Sequence, residues 1–244
     1  MSDPRASSFR AVAADYELGR PGWPDRVVDV AELPPDAEVL DLAAGTGKLT
    51  RVLARHFARV TAVEPDDALR ALMAGVEALA GTAEEMPLPD ASVDGLFCAE
   101  AFHWFDAPRA VAEIARVVRP GGAVVVCFNN QGGATTPAWP DVAGAVIERY
   151  RRPGEVGGRH LVESGSWREA FADAPFEPLR FETAPHEHVQ TTNEAIAQLL
   201  SISSFALLPE TQREEMRRDL HAVLPDTIWR TPLLAEIWST RRVP

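Results

Sequence analysis

From residue 36 to residue 128, short apolar runs alternate with amphipathic stretches about ten residues long, and that rhythm admits few folds. Residues 38–42 (EVLDL) read as a buried strand. Leu49, Val52, Leu53 and Phe57 follow at helical spacing, so 47–57 is expected to be a helix with one face on a core. Residues 59–64 (RVTAVE) alternate and are β-branched, which marks a second strand. A helix over 66–73, capped by Asp66 or Asp67, is expected to lead to a short strand near 78–82. The turn PLPDAS (87–92) precedes a strand over 93–100, VDGLFCAE. Val111, Ile114, Ala115 and Val118 form another helix face, which Pro120-Gly121-Gly122 is expected to end before the strand AVVVCF at 123–128. Strands joined through helices imply right-handed crossovers and a parallel sheet, so this region is expected to be a doubly wound α/β core.

Beyond Phe128 the rhythm breaks. The stretch 129–141 reads as a loop, with helices around 141–151 and 165–173. A strand over 176–188 is expected to bend at Pro185, helices fit 192–206 and 209–222, and a last strand fits 232–242. The part from 129 to 225 therefore reads as mostly helical, plus one strand returning to the sheet.

Charge narrows the partners. The chain of 244 residues carries a net charge of -12, which repels phosphate backbones and argues against nucleic acid. No apolar run has the length of a membrane span or a signal peptide, so a cytoplasmic protein with no membrane partner is expected. Lys48 is the single lysine beside many arginines, alanines and prolines, a composition that suggests a GC-rich bacterial genome. Cys98 and Cys127 lack metal or disulfide spacing and read as buried thiols.

In open parallel sheets, ligands sit beyond the carboxyl ends of the strands where strand order reverses, and the turn Gly45–Gly47 belongs there. The dinucleotide fingerprint would need glycine at position 50, which is Thr50. A P-loop would need glycine at 42 and serine or threonine at 49, which are Leu42 and Leu49. Both patterns fail, so the ligand need not carry a phosphate. Glu64 closes the second strand, 19 residues after Gly45, and is placed to accept hydrogen bonds from a ribose diol. Asp41 puts an anion beside the turn, suited to a cationic or amine-bearing group or else to stabilising the turn itself. A nucleoside without an obligatory pyrophosphate fits these features.

The motifs YELGRPGWP (16–24), VLDLAAGTGKLT, VTAVEPDDALRALM, GTAEEMPLPDASVDGLFCAEAFHWF and EIARVVRPGGAVVV stand in one order over roughly residues 9–128. In that order they resemble class I S-adenosylmethionine-dependent methyltransferases, of the branch that includes trans-aconitate and ubiquinone-pathway enzymes. The resemblance implies a Rossmann-like sheet with a helical cover over the strand ends. It divides a single methyltransferase domain into an N-terminal lid (1–35), a cofactor-binding core (36–128), an acceptor-side cover with a returning strand (129–225) and a final strand (226–244). It implies S-adenosylmethionine as cofactor, with the Ala43–Gly47 loop around the methionine part and Glu64 on the ribose. Pro65 would lie near the adenine, Ala83 and Glu84 at its border, and Ala99 and Glu100 towards the methionine amine. Tyr16 and Arg20 would close over the cofactor from an N-terminal helix. The first glycine of the family's loop is Ala43 here, so the loop is expected to avoid positive φ at that residue.

Methyl transfer from a sulfonium is an in-line displacement that needs alignment and exclusion of water. A base is required only for a protonated acceptor, such as a phenol. His103 in AFHWF (101–105) is the candidate base, or else a structural residue. Trp139, Tyr150, Trp167 and Trp229 can line an acceptor cavity or simply fill a core. His186 and His188 share one strand face but lack an evident third ligand, so no metal is expected. Glu214 and Arg218 read as an i,i+4 pair on a solvated helix. The expected partner is a small-molecule acceptor with an oxygen or carbon nucleophile, for a monomer or homodimer. Two alternatives stay open on the same fold: other chemistry that uses the sulfonium charge, and a regulator that binds the cofactor without catalysis.

Overall fold

The computed structural model describes residues 12–73, 75–130, 137–151 and 165–244. The first eleven residues of the expected lid lie outside the described residues. In chain order the strands are β1 (Glu38–Leu42), β2 (Arg59–Val63), β3 (Glu77–Leu79), β4 (Val93–Ala99), β5 (Val118–Asn130), β6 (Arg180–Thr191) and β7 (Ile228–Arg241). The helices are α1 (Ala13–Gly19), α2 (Arg26–Asp29), α3 (Lys48–His56), α4 (Asp67–Arg70), α5 (Ala107–Val117), α6 (Asp141–Tyr150), α7 (Glu169–Ala172), α8 (Thr192–Leu200), α9 (Ser203–Ala206) and α10 (Glu210–Val223). One seven-stranded sheet has the order β3-β2-β1-β4-β5-β7-β6. Strands β1 to β5 pair in parallel, and β7 runs antiparallel to β5. Strand order reverses between β1 and β4, so the doubly wound reading holds and the crevice opens beyond those two ends.

The chain forms two compact units. Among the described residues, one comprises 22–73, 75–130, 165–185 and 234–244; the other comprises 12–21, 137–151 and 186–233. The first carries the parallel sheet with apolar cover on both faces. Leu40, Leu42, Leu96 and Cys98 pack on one face against Val111, Ile114 and Phe102, whereas Val39, Phe97 and Cys127 pack on the other against Leu49, Val52 and Leu53. Burial on both faces is why these strands read as continuous apolar runs. The second unit has its own core of Val146, Ile196, Leu199, Leu200, Met216 and Leu220. There Gly19 of α1 meets α8 so closely that a Cβ would stand 2.1 Å from the backbone nitrogen of Gln198, which demands glycine.

Several boundaries differ from the sequence reading, each for a local reason. The helix expected over 66–73 is the single turn α4, capped by the Asp66 side chain, which accepts from the Ala68 and Leu69 amides. The strand expected near 78–82 is β3, ending at Leu79. Pro120-Gly121-Gly122 does not end α5, which stops at Val117; it lies inside β5, where register against β4 slips between Val93 and Gly95 and Gly121 takes φ +80°. Strand β6 runs through Pro185 without ending, and it lies at the edge of the sheet, where proline is tolerated. The helix expected over 192–206 is two: α8, started by the capping box of Thr191 and Glu194, and α9. Glu214 pairs with Arg217, not Arg218, and Arg217 also holds Asp15 of α1 at 2.7 Å.

Candidate functional site

Two strand ends build the site. Past β1 the chain turns through Ala43 and Ala44 into Gly45, at φ +58°, and Gly47, at φ +82°, before α3 begins. The Ala44 amide donates to the Val63 carbonyl at 3.2 Å, which ties this loop to the end of β2. Gly47 needs its missing side chain twice, for its φ and because a Cβ there would stand 2.7 Å from Met73 Cγ. Gly45 differs: among the described residues, its two chain neighbours aside, no atom lies within 4 Å of where its Cβ would stand. Within those residues the backbone at that point has room for a ligand to approach closely.

Glu64 stands beside it. Its carboxylate accepts from the Gly45 amide at 3.0 Å through Oε2 and from the Asp66 amide at 3.0 Å through Oε1. Burial raises its pKa, and the two amides work against that rise. Each carboxylate oxygen has two acceptor positions, so one on each remains for a ligand. Pro65 is exposed immediately after it.

Asp41 lies within β1, buried to 1% exposure, and accepts a 2.6 Å hydrogen bond from the Thr50 hydroxyl of α3. Burial pushes its pKa up to about 7, with the Thr50 bond opposing and the Glu64 charge adding. Thr50 was visible in the sequence only as the residue that spoils a dinucleotide fingerprint. Its structural role is to face Asp41 and Met73, whose sulfur lies 3.8 Å from the Thr50 hydroxyl oxygen. Met73 and Thr46, the latter buried with its carbonyl held by Arg51, are further residues of this loop environment that sequence reasoning missed.

Ala43 overturns an expectation: it sits at φ +55°, in the left-handed region the loop was expected to avoid. The turn off β1 demands that conformation whatever side chain stands there, and an L-residue with a Cβ is strained in it by about 1–2 kcal/mol. Glu100, just past β4, is likewise at φ +56°. Its amide donates to the Cys127 carbonyl at 2.9 Å, and its Oε1 accepts from the Asn129 amide at 2.6 Å. Thus both strand ends that border the crevice carry a non-glycine residue with positive φ. Ala99 ends β4, half-buried.

The remaining expected residues fall nearby or elsewhere. Ala83 is buried, and Glu84 accepts from the Asp106 amide at the start of α5 at 2.9 Å. His103, in the short 3-10 turn Phe102–Trp104, packs in tilted contact with the rings of Trp104, centroids 4.5 Å apart, and Phe128, 5.8 Å apart. Tyr16 and Arg20 belong to the other unit. There the Arg20 guanidinium lies over the Tyr16 ring at 5.2 Å and donates to Ser201 Oγ at 2.8 Å. The four aromatic candidates divide between the units. Trp167 packs into the sheet core beside Phe102, while Trp139, Tyr150 and Trp229 pack on the core of the second unit. His188 Nε2 meets the Gly19 carbonyl at 2.8 Å, and burial, then the neighbouring His188, lowers the pKa of His186. Among the described residues no cluster of three His, Cys, Asp or Glu side chains could hold a metal, and no helix is long and apolar enough to cross a membrane.

A sheet of this order with a glycine loop after β1 and an acid after β2 defines a doubly wound α/β domain, and comparison with known proteins narrows the class. Residues 40–126 match the methyltransferase domain family. An uncharacterized methyltransferase-like protein of Schizosaccharomyces pombe is 33% identical over 225 residues, covering 88% of this chain and 85% of the relative. An uncharacterized methyltransferase of Mycobacterium tuberculosis is 35% identical over 213 residues, covering 84% of this chain and 80% of the relative. A solved type II methyltransferase structure from Anaeromyxobacter dehalogenans superposes with a TM-score of 0.65 at 27% identity, over 92% of this chain and 99% of that one. The chain belongs to the methyltransferase family. It is a methyltransferase whose cofactor is S-adenosylmethionine.

Proposed function

We propose that this protein transfers the methyl group of S-adenosylmethionine to an oxygen or carbon nucleophile of a small molecule, such as a carboxylate or phenol. The observation that carries the cofactor site is the open space at Gly45 beside the Glu64 carboxylate. When bound, S-adenosylmethionine supplies an electrophilic methyl group on a sulfonium cation. The chain's own task is then to bind, orient and exclude water.

Glu64 accepts the ribose hydroxyls with the two positions its amide partners leave. Pro65 offers an exposed apolar face to the adenine, and Ala83 and Glu84 border it. The Ala43–Gly47 backbone surrounds the methionine part, with Asp41 beneath. Ala99 and Glu100 lie towards its amine. Tyr16 and Arg20 join the reading on the resemblance of their motif alone. His103 takes the proton of a phenol or alcohol and is idle for an acceptor already ionised. A net charge of -12 disfavours nucleic acid as the acceptor and suits a cationic cofactor. A cytoplasmic protein, monomeric or homodimeric, completes the reading.

Calorimetric titration with S-adenosylhomocysteine and with NAD, followed by release of labelled methyl into a panel of acids and phenols, tests it. Binding of the first ligand alone, with transfer to at least one acceptor, is expected. Binding of NAD instead would remove the cofactor assignment. Tight binding with no transfer to any acceptor would point to a regulator.

A further inference from the structure

Asp41 is an unusual group to find where it is. It is 1% exposed, and within the described residues its bonds come from Thr50 alone, chiefly the hydroxyl at 2.6 Å. Among the described residues no arginine or lysine forms an ion pair with it. The ionisable groups that act with it are Glu64 beyond β2, Cys98 in β4 and Cys127 in β5. Burial holds both thiols neutral. Among the described residues the charged group that acts on Asp41 is therefore another anion, Glu64. A buried carboxylate with one neutral partner and a negative neighbour has two stable conditions: it carries a proton, or a cation is nearby. The loop it supports is the one read above as the seat of a sulfonium.

We propose that Asp41 makes cofactor binding proton-linked and charge-selective, releasing its proton when the sulfonium donor binds and retaining it when the neutral thioether product binds. This rests on the cofactor reading above. S-adenosylmethionine and S-adenosylhomocysteine share an adenosine, an ammonium and a carboxylate; they differ by the methyl group and its positive charge. Both ligands bring the ammonium, so a difference between them in the ionisation of Asp41 comes from the sulfonium charge. With the carboxyl protonated in the empty site up to about pH 7, the donor must displace the proton, while the product need not. The donor therefore gains affinity over the product as pH rises, and the gain levels off once Asp41 is already ionised in the free protein. After methyl transfer the cation is gone, the carboxylate is again uncompensated, and reprotonation accompanies the product state. The methyl moves to the acceptor and the proton returns to Asp41 from solvent, so atoms and charge balance.

The test is calorimetric titration of the whole chain with each ligand, between pH 6 and pH 8, in two buffers of different ionisation enthalpy. Near pH 7 the donor should release more protons than the product, by a clear fraction of one. The ratio of product Kd to donor Kd should rise about tenfold across the range. Asp41→Asn should abolish both effects. Thr50→Val removes the bond that favours the ionised form, so it should move the rise to higher pH. Equal proton release for the two ligands, or an Asp41→Asn protein that keeps the wild-type difference, overturns the proposal while leaving the cofactor site intact. Failure of both ligands to bind removes the cofactor reading and the linkage together.

Discussion

Asp41 in β1 and Glu64 just past β2 are buried acids on adjacent strands, and the protein meets their charges by different means. Glu64 takes two backbone amides, from Gly45 and Asp66, each at 3.0 Å. Asp41 takes one side-chain hydroxyl, from Thr50. Amides fixed by the fold orient the Glu64 carboxylate and oppose the upward pKa shift that its burial causes. A lone hydroxyl leaves the charge under-compensated, so its ionisation follows whatever else enters the site. One acid is built to hold, the other to respond.

Removing the backbone-held acid should have the largest effect. In Glu64→Ala the Gly45 and Asp66 amides lose their acceptor, an expected loss of about 2–4 kcal/mol of stability, read as a lower denaturant midpoint at unchanged slope. Cofactor affinity should fall as well, by about 1–3 kcal/mol. If the midpoint and affinity stay at wild-type values, Glu64 is not the anchor described.

Asp41→Asn should act in the opposite direction. The folded-state pKa of Asp41 is raised from its ordinary value to about 7. Its stabilising protonation is therefore complete below the unfolded pKa near 4 and is lost as pH climbs through about 7. Asparagine does not titrate, so at pH 8 the variant should exceed wild type by on the order of 2 kcal/mol, and the gap should shrink steadily towards pH 5. Thermal melts across this range decide it, and a gap independent of pH would mean that Asp41 is ionised throughout.

Ala43→Gly sharpens the comparison at the same strand end. It relieves φ +55° at a residue with a Cβ, offset in part by the greater freedom of glycine in the unfolded chain. A gain of about 0.5–1 kcal/mol is expected. A destabilised variant would show that the Ala43 methyl contributes packing that outweighs the strain. His103→Ala, away from both acids, should leave affinity for S-adenosylhomocysteine within about twofold of wild type. A larger loss would move His103 from the acceptor side to the cofactor.

What the sequence could reveal follows from which contacts are local. Strands buried on both faces announce themselves as apolar runs, and Leu49, Val52 and Leu53 mark their helix by spacing alone. Gly45, Gly47 and Glu64 were legible because turn chemistry and strand ends are local properties. The φ of Ala43 was hidden, since alanine carries no mark of a left-handed turn and its chemistry argues against one. Thr50 was hidden for another reason: its hydroxyl matters only because α3 folds back onto β1, nine residues upstream. Pro120-Gly121-Gly122 misled because the same residues that stop helices also make strand bulges, and only pairing with β4 selects between them. Beyond Phe128, Pro185 signalled a bend that an edge strand absorbs, and the apolar run over 192–206 concealed the break between α8 and α9.

A crystal structure with S-adenosylhomocysteine bound addresses the site directly. The expected result is density in the crevice between β1 and β4, with the ribose hydroxyls on the Glu64 carboxylate and the chain of the ligand passing over Gly45. A crevice left empty at saturating ligand, or the sugar held by other side chains with Glu64 turned away, would contradict it.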